Sequence, residues 1–224
     1  MKTATSRIIH PLELDHPGKR ILGLDEAGRG PIAGPLTVAG VVFPAGYENP
    51  EIFDSKKLTE KKREKLYRQI LEDAEQVLVV FVDEKTIDRL NIYRATQQAM
   101  ESIAQVCECD LVLSDAMKLP AVAKPWEAVV KGDQKSVSIA AASILAKVSR
   151  DRYMKRLDQD YPQYGLAGHK GYPTRAHIEA LHRHGLQSFY RWSYGPVRDM
   201  EQRLFDPEPA DSEQTAASGT FEDS

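Results

Sequence analysis

The sequence predicts an α/β domain, in which short apolar strands alternate with amphipathic helices. Strands are indicated by apolar runs rich in β-branched residues, at 21–24, 35–43, 76–82, 111–113 and 128–130. Helices are indicated by apolar residues at helical spacing, over 60–74, 85–106, 136–157 and from 174 onward. In three places an acidic residue follows an apolar strand, and open α/β sheets place their chemistry where strand ends converge.

The apolar spacing also predicts which residues face the core. The first two strands are expected to pair antiparallel, because only a short glycine-rich stretch separates them. The helix over 60–74 begins after Thr59 as its cap and turns Leu66, Ile70 and Leu71 inward. The next helix is expected to run unbroken over 85–106, with a core stripe made of Ile87, Leu90, Ile92, Ala95, Ala99, Ile103 and Val106. The helix over 136–157 can approach the sheet closely, because one face carries Ala140, Ala141, Ala142 and Ala146.

Length and composition limit the class of protein. At 224 residues and 25.1 kDa the chain can form one well-packed domain. It contains no run of eighteen apolar residues and no basic segment followed by an apolar one at the start, so we expect neither a membrane span nor a signal peptide. The expected compartment is the cytoplasm. Cys107 and Cys109 are too close for a comfortable disulfide and lack a second ligand pair for zinc, so we expect reduced thiols.

The charge is distributed unevenly between two segments. Residues 199–224 contain eight acids against Arg203 alone, a net charge of −7, so the preceding body carries +4 of the total of −3. The end of the chain is also rich in Ser, Thr, Pro and Ala, a composition typical of a disordered tail. We therefore expect a domain over 1–198 with a helical carboxy-terminal part, followed by an acidic tail over 199–224.

The stretch over 20–34, RILGLDEAGRGPIAG, combines adjacent acids with a glycine-rich turn. The simplest interpretation is a buried strand that ends in a turn. A buried Asp is costly unless a cation or a donor neutralises it, however, and here Glu26 follows Asp25 and doubles the charge. A metal ion would compensate both carboxylates. The Gly-Arg-Gly sequence at 28–30 suits close approach of a phosphate or sugar, although no P-loop motif follows.

Two further acids repeat this pattern. Asp115 and Asp133 each follow an apolar strand, and each is alternatively explained as a turn residue or a helix cap. Three such acids in one domain favour a shared site. The polar loop over 54–58 carries Lys56 just ahead of a helix, where it can contact phosphate, although the basic face of that helix is alternatively only a solvated surface.

The later part of the chain suits contact with a nucleic acid. Basic residues fill the last turns of the helix over 136–157, and a loop with the sequence YGLAGHKGYPT follows. Aromatic and basic side chains on such a loop can stack on sugars or bases and contact phosphate. For Tyr172 alone, a half-buried hydrogen-bonded tyrosine is an equal alternative. We expect His177, His182 and His184 at the surface or the edge of the core.

These motifs together resemble ribonuclease HII. The resemblance is carried in order by LDEAGRGPIAGP, DSKKL, Asp115, KGDQKSVSIAAASILAKVSRDR and HKGYPT, and it extends over residues 20–197. It implies the ribonuclease H-like fold, a mixed five-stranded sheet flanked by helices with a carboxy-terminal helical extension. It also implies a monomeric endonuclease that hydrolyses the RNA strand of RNA–DNA hybrids and incises 5′ to ribonucleotides in duplex DNA, with Mn²⁺ or Mg²⁺ as cofactor.

The resemblance also implies roles for individual residues. The acids that bind metal and carry catalysis are Asp25, Glu26, Asp115 and Asp133. The residues that bind substrate are Gly28, Arg29, Gly30, Lys56 and Tyr172, the glycine loop at the ribose 2′-hydroxyl and the tyrosine at the junction sugar. This chain has Ala116 after Asp115, where glycine is expected.

Two other functions are compatible with parts of this pattern. Another metal-dependent nuclease or resolvase on the same fold would lack the GRG and GYP elements that are present here. A non-catalytic module that binds hybrids would need the basic surface but no acids, because carboxylates repel phosphate in the absence of a metal.

Overall fold

The computed structural model describes residue 8 and residues 10–205. Five strands form one sheet, β1 (Ile21–Ala27), β2 (Leu36–Val42), β3 (Gln76–Val82), β4 (Leu111–Asp115) and β5 (Trp126–Val129). Seven helices lie in this part of the chain, α1 (Glu60–Asp73), α2 (Glu84–Leu90), α3 (Ile92–Val106), α4 (Val137–Asp160), α5 (Leu166–His169), α6 (Arg175–His184) and α7 (Gly195–Phe205). None of these helices is long and apolar enough to cross a bilayer.

The sheet is mixed, with strand order β3-β2-β1-β4-β5. Strand β2 pairs antiparallel with β1 after a short loop and with β3 after a longer connection that contains α1, whereas β4 and β5 continue the sheet from β1 in parallel. A parallel neighbour needs a crossover connection, and α2 and α3 supply one between β3 and β4. The predicted α/β class and mixed five-stranded sheet are confirmed.

The two faces of the sheet are covered by different helices. Leu22 and Leu24 point to the face that packs against α3, where Ile103 is buried with them. Because side chains alternate along a strand, Gly23 and Asp25 point to the opposite face, which α4 covers. The backbone of α4 approaches so closely that a Cβ at Gly23 would lie 2.1 Å from the carbonyl carbon of Ser138. The four predicted alanines of α4 are fully buried against this face.

A third core lies between the carboxy-terminal helices and the loop that joins β1 to β2. It is built from aromatic residues including Tyr164, Phe189 and Tyr190. His177 is fully buried here, where its Nδ1–H donates to the carbonyl of Tyr172 at 2.9 Å and its Nε2 accepts from the hydroxyl of Tyr190 at 3.0 Å. The expectation that His177 lies at the surface or core edge is therefore wrong. His182 and His184 are exposed.

Three predictions about the helices are also wrong. The helix expected over 85–106 is broken at Asn91, whose φ of 66° ends α2 and whose side chain caps α3. Leu71 is 47% exposed, because it follows Ile70 by one position and so lies about 100° around the helix from the buried face. Val106 is 65% exposed at the last residue of α3, where Cys107 occupies the buried position instead.

The segment predicted as an acidic tail begins inside a helix. Helix α7 extends from Gly195 to Phe205 and so includes residues 199–205 of that segment. Residues 206–224 lie outside the described residues. Cys107 and Cys109 are both free thiols.

Gly23→Ala should destabilise the protein by roughly 1–3 kcal/mol, because the added methyl group overlaps the backbone of α4. The free energy of unfolding from urea titration measures this effect. Gly168→Ala is the matched control, since a Cβ at that helical position has nothing within 4 Å. Equal stability of the two variants would contradict the close packing of α4 on β1.

His177 should make the free energy of unfolding depend on pH. Burial lowers its pKa to about 4, whereas in the unfolded chain it titrates near 6.5. The contribution is therefore fully present above pH 6.5 and is lost as the pH falls toward 4, by up to roughly 3 kcal/mol. Unfolding free energies between pH 7.5 and 4.5 should fall more steeply for the wild type than for His177→Gln. His182→Gln, on the exposed side of the same helix, controls for loss of an imidazole.

Candidate active site

Two of the predicted acids lie side by side on neighbouring parallel strands. The register pairs Leu24 of β1 with Ser114 of β4, so the next residues along, Asp25 and Asp115, are neighbours at the same edge. Asp115 is the last residue of β4, as predicted. Asp25 is not a strand end, because pairing with β2 extends β1 to Ala27.

Asp25 is a buried carboxylate that faces helix α4. Its Oδ1 accepts the backbone N–H of Glu26 at 2.7 Å, and the Ser143 hydroxyl also donates to it. Burial raises the pKa of Asp25 well above its usual range, and the charges of Glu26 and Asp115 raise it further. Ionising this carboxyl in the folded protein therefore carries a large electrostatic cost, which a bound cation would offset.

Glu26 lies next to Asp25 and is only partly compensated. Burial raises its pKa, whereas Arg29, 3.5 Å away in an ion pair, lowers it. Its Oε2 atom is buried and has no hydrogen-bond partner among the described residues. This oxygen can therefore accept a further ligand without giving up an existing contact.

Asp115 is held in place by the turn that follows β5. The backbone N–H of Gly132 donates to its Oδ1 at 2.8 Å, and the N–H of Ala116 donates to the carbonyl of Val129 at 3.0 Å. Ala116 has a φ of 54°, in the left-handed region that favours glycine. The conformation expected from glycine at this position is therefore kept here at the cost of strain in an alanine.

Asp133 lies beside this group, although outside the cleft that the other predicted residues line. It is buried on a short 3-10 turn (Gly132–Gln134), beyond the end of β5. Burial raises its pKa, and the charges of Asp54 and Asp115 add to the rise. Asp54, which is also buried, therefore belongs to the same acidic neighbourhood.

A cleft of about 430 Å³ opens at this edge of the sheet. Eight of the nine predicted site residues line it, namely Asp25, Glu26, Gly28, Arg29, Gly30, Lys56, Asp115 and Tyr172. Six lining residues were not predicted as site residues, namely Ala27, Ser55, Arg63, Ser143, Lys147 and Arg150. Residues far apart in sequence thus share one concave site that combines carboxylates with cations.

The glycines of the 28–30 loop are required by close contacts. Gly28 has a φ of 97°, and a Cβ there would lie 2.1 Å from Nε of Arg150. A Cβ at Gly30 would lie 3.3 Å from the ring of Tyr172. Tyr172 is 46% exposed, so it is about half-buried, as the alternative interpretation expects. Its hydroxyl, however, has no hydrogen-bond partner in the described part of the chain.

Lys56 is exposed at the mouth of the cleft on a loop that two contacts hold. The hydroxyls of Ser55 and Ser143 lie 2.9 Å apart, which ties the loop to α4. Arg63 donates from α1 to the carbonyl of Ser55 at 3.1 Å. Ser143 therefore contacts both the buried carboxylate of Asp25 and the loop that carries Lys56.

The four basic residues in the last turns of α4 differ in exposure, from the buried Arg150 to the exposed Lys155 and Arg156. Arg150 is buried, and its guanidinium donates to the carbonyls of Ala33, Pro35 and Lys170 at 2.8–3.0 Å. Arg152 and Lys155 form ion pairs with acids of α1 at 2.5 Å. Three of these four charges are thus engaged by other groups of the protein, and contact of this part of α4 with a nucleic acid stays a prediction.

The sequence carried a weak signal for the missed residues. Ser143 and Lys147 are spaced four apart within the otherwise apolar run over residues 139–148 of α4, so they share one face of the helix. Lys147 is paired with Asp151 at 2.7 Å and still lines the cleft. Two polar residues at helical spacing within an apolar run could therefore have predicted that this helix borders a site.

The donor set suits a hard cation. No three His, Cys, Asp or Glu side chains in the described ranges are already arranged as a metal centre. The carboxylates nevertheless fit the requirement, because Asp25 and Glu26 both have raised pKa values and the buried Oε2 of Glu26 is unpartnered among the described residues. Carboxylate oxygens are the ligands that Mg²⁺ and Mn²⁺ prefer.

Comparison with known proteins identifies relatives over most of the chain. A family model described as ribonuclease HII matches residues 22–197. Ribonuclease HII of Bacillus cereus (strain AH820) is 48% identical over 185 residues, covering 82% of this chain and 72% of that protein. Ribonuclease HII of Bacillus anthracis (strain CDC 684 / NRRL 3495) is 49% identical over 182 residues, covering 80% and 70%.

Solved structures show the same fold. The ribonuclease H2 of Pyrococcus horikoshii OT3 matches with a TM-score of 0.69 and 26% identity, covering 83% of this chain and 99% of that one. The ribonuclease HII of Archaeoglobus fulgidus, solved in complex with PCNA, matches with a TM-score of 0.67 and 27% identity, covering 79% and 95%. This chain therefore belongs to the ribonuclease HII family, and it is a ribonuclease H that acts as an endonuclease on RNA–DNA hybrids.

Proposed function

We propose that this enzyme incises duplex DNA on the 5′ side of an embedded ribonucleotide, in addition to hydrolysing the RNA strand of hybrids. One observation carries the proposal. The cleft brings the carboxylates of Asp25, Glu26 and Asp115 together with the 28–30 loop and the exposed ring of Tyr172. Groups suited to phosphodiester hydrolysis thus lie within one small site beside groups suited to contact with a sugar.

The carboxylates of Asp25, Glu26, Asp115 and Asp133 are proposed to hold the divalent cation on which ribonucleases H depend. Mg²⁺ or Mn²⁺ would supply an activated water and relieve the charge that develops on the phosphate. Water adds to phosphorus and the bond to the 3′ oxygen of the preceding nucleotide breaks. The preceding nucleotide is left with a 3′-hydroxyl, and the ribonucleotide carries the 5′-phosphate.

The cations around the cleft are proposed to bind the phosphates of the cleaved strand. Arg29 and Lys56 are exposed at its mouth, and the guanidinium of Arg29 can bind phosphate through two parallel hydrogen bonds. Arg29 is also paired with Glu26 at 3.5 Å, so a phosphate and this carboxylate compete for it. Lys147, on the wall formed by α4, adds a third positive charge.

The sugar at the junction is proposed to be read by two elements in contact with each other. Gly28 and Gly30 let backbone approach the ribose, whose 2′-hydroxyl distinguishes RNA from DNA. Tyr172, whose ring borders Gly30, is proposed to pack on the neighbouring deoxyribose. The roles proposed above need no residue from a second chain, so we propose a monomer. Because the proposed substrate is duplex DNA that contains ribonucleotides, we propose that the enzyme works in the cytoplasm.

Asp25→Asn and Asp115→Asn should each lower kcat on a duplex with one ribonucleotide by at least about a hundredfold, ~2.7 kcal/mol, because the amide loses the charge that holds a cation. Turnover in Mg²⁺ is measured under saturating substrate. Asp160→Asn, at the exposed end of α4, is the control and should keep wild-type turnover. Retention of a tenth of the wild-type rate by both site variants would overturn the assignment.

Asp25→Asn should also change stability in a pH-dependent way without any metal. The raised pKa of Asp25 means that its ionisation destabilises the folded state, so stability is fully present below the unfolded pKa of about 3.9 and is lost as the pH rises. In EDTA at pH 8 the Tm of Asp25→Asn should therefore exceed that of the wild type. Added Mn²⁺ should then raise the wild-type Tm more, and equal shifts would argue against a metal site at Asp25.

Tyr172→Ala should lower kcat/KM on the single-ribonucleotide duplex much more than on a continuous RNA strand paired with DNA. Tyr172→Phe should retain the wild-type ratio of the two values, because the hydroxyl has no partner among the described residues and the ring makes the contact. Tyr93→Ala removes another exposed tyrosine, 43% accessible, as a control. An unchanged ratio in Tyr172→Ala would assign junction recognition elsewhere.

A further inference from the structure

The carbonyl of Arg29, in the middle of the 28–30 loop, is held by two side chains from the carboxy-terminal part of the chain. The hydroxyl of Tyr194 donates to it at 2.7 Å, and Nη1 of Arg191 donates to it at 3.3 Å. Arg191 also donates to the hydroxyl of Tyr194 at 3.1 Å. Three groups thus form one closed set of hydrogen bonds around a single backbone oxygen.

Arg191 is fully buried and serves backbone carbonyls. Its Nε and Nη2 donate to the carbonyl of Gly34 at 2.9 and 2.7 Å. Within the described ranges no carboxylate lies at ion-pair distance from it. Burying a guanidinium without an ion-pair partner is costly. The cost is offset here because the several N–H donors of arginine can hold more than one backbone carbonyl at once, which a smaller side chain cannot do.

The segment around Arg191 pairs with the same loop through its backbone. The N–H of Arg191 donates to the carbonyl of Ile32 at 2.9 Å, and the N–H of Gly34 donates to the carbonyl of Phe189 at 2.8 Å. Ala33 and Tyr190 form an antiparallel bridge. The loop and the carboxy-terminal segment are therefore one rigid unit, and the Arg29 carbonyl is fixed with respect to it.

Fixing this carbonyl also fixes the next amide. In a trans peptide the C=O and the N–H point in opposite directions, and the described residues contain no cis peptide. With the oxygen of Arg29 turned toward Arg191 and Tyr194, the N–H of Gly30 points away from them. Gly30 is exposed and lines the cleft, and its N–H has no acceptor among the described residues.

We propose that Arg191 and Tyr194 are positioning residues that orient the Arg29–Gly30 peptide so that the N–H of Gly30 donates to the 2′-oxygen of the ribonucleotide. This inference rests on the ribose recognition proposed above and assigns a residue pair that sets it. Neither side chain touches the substrate. They act by preventing the peptide from turning over, which would present a carbonyl to the sugar instead of a donor.

Ribose preference in binding tests this role directly. The dissociation constants are measured by fluorescence anisotropy in EDTA, where the divalent-dependent enzyme does not turn over. The two probes are a duplex with one ribonucleotide and an all-DNA duplex of the same sequence. Tyr194→Phe removes one hydroxyl and should reduce the preference for the ribonucleotide duplex about fivefold, the loss expected for one hydrogen bond. A fall in stability alone does not change this ratio.

The matched control is Tyr164→Phe. The hydroxyl of Tyr164 also donates to backbone carbonyls, those of His184 and Gly185 at 3.0 and 2.9 Å, away from the loop. Its loss should leave the ribose preference unchanged. If Tyr194→Phe keeps the wild-type preference, or if Tyr164→Phe lowers it equally, the positioning role is overturned.

Arg191→Lys separates geometry from charge. Lysine keeps the positive charge but cannot reach the carbonyls of Gly34 and Arg29 together, so the ribose preference should fall at least as far as in Tyr194→Phe. A wild-type preference in Arg191→Lys would overturn the proposal, and if this variant does not fold, Tyr194→Phe decides. If the wild type itself binds both duplexes equally, that result contradicts the ribose recognition under the proposed function, on which the positioning role rests.

Discussion

The close approach of α4 to β1 is the constraint on which the site depends. Gly23 has no side chain, so the backbone of the helix can lie directly against the strand. From that position Ser143 reaches the buried carboxylate of Asp25 and Arg150 fills the space beneath Gly28. If a side chain at residue 23 held the helix farther away, Asp25 would lose the hydrogen bond from Ser143 and Gly28 would lose its contact with Arg150. Packing in the core therefore determines the geometry of the chemistry.

Two buried guanidiniums hold the loop between β1 and β2 in one conformation, because they donate hydrogen bonds to its backbone carbonyls. Arg150 binds its carbonyls from α4, and Arg191 binds others from the carboxy-terminal segment. Neither forms an ion pair within the described residues, and apart from the bond from Arg191 to the Tyr194 hydroxyl their hydrogen bonds go to backbone carbonyls. A glycine-rich loop is flexible by composition, and these contacts remove that flexibility before any substrate is bound. The binding free energy is then not spent on ordering the loop.

The sequence predicted what depends on local pattern, and missed what depends on distant contacts. Strand periods, the cap at Thr59 and the acids after apolar runs are local, and they sufficed for the sheet and for the grouping of Asp25 with Asp115. The break at Asn91 was missed because the apolar spacing continues across it, whereas its left-handed backbone leaves no mark on that spacing. The burial of His177 and the inward turn of Arg150 depend on residues far away in sequence, which no local pattern reports.

The pairing register of β1 with β4 determines whether a folded molecule can be stable. Side chains alternate between the two faces, so a slip of one residue would move Asp25 into the apolar layer beneath α3 and expose Leu24 to the polar end of the sheet. Such a misfolded form would bury an uncompensated carboxylate, at a cost comparable to the whole stability of a domain. Molecules that complete folding are therefore molecules whose acids are correctly aligned. Asp25, which is proposed to serve the reaction, therefore also disfavours incorrect pairing of the sheet.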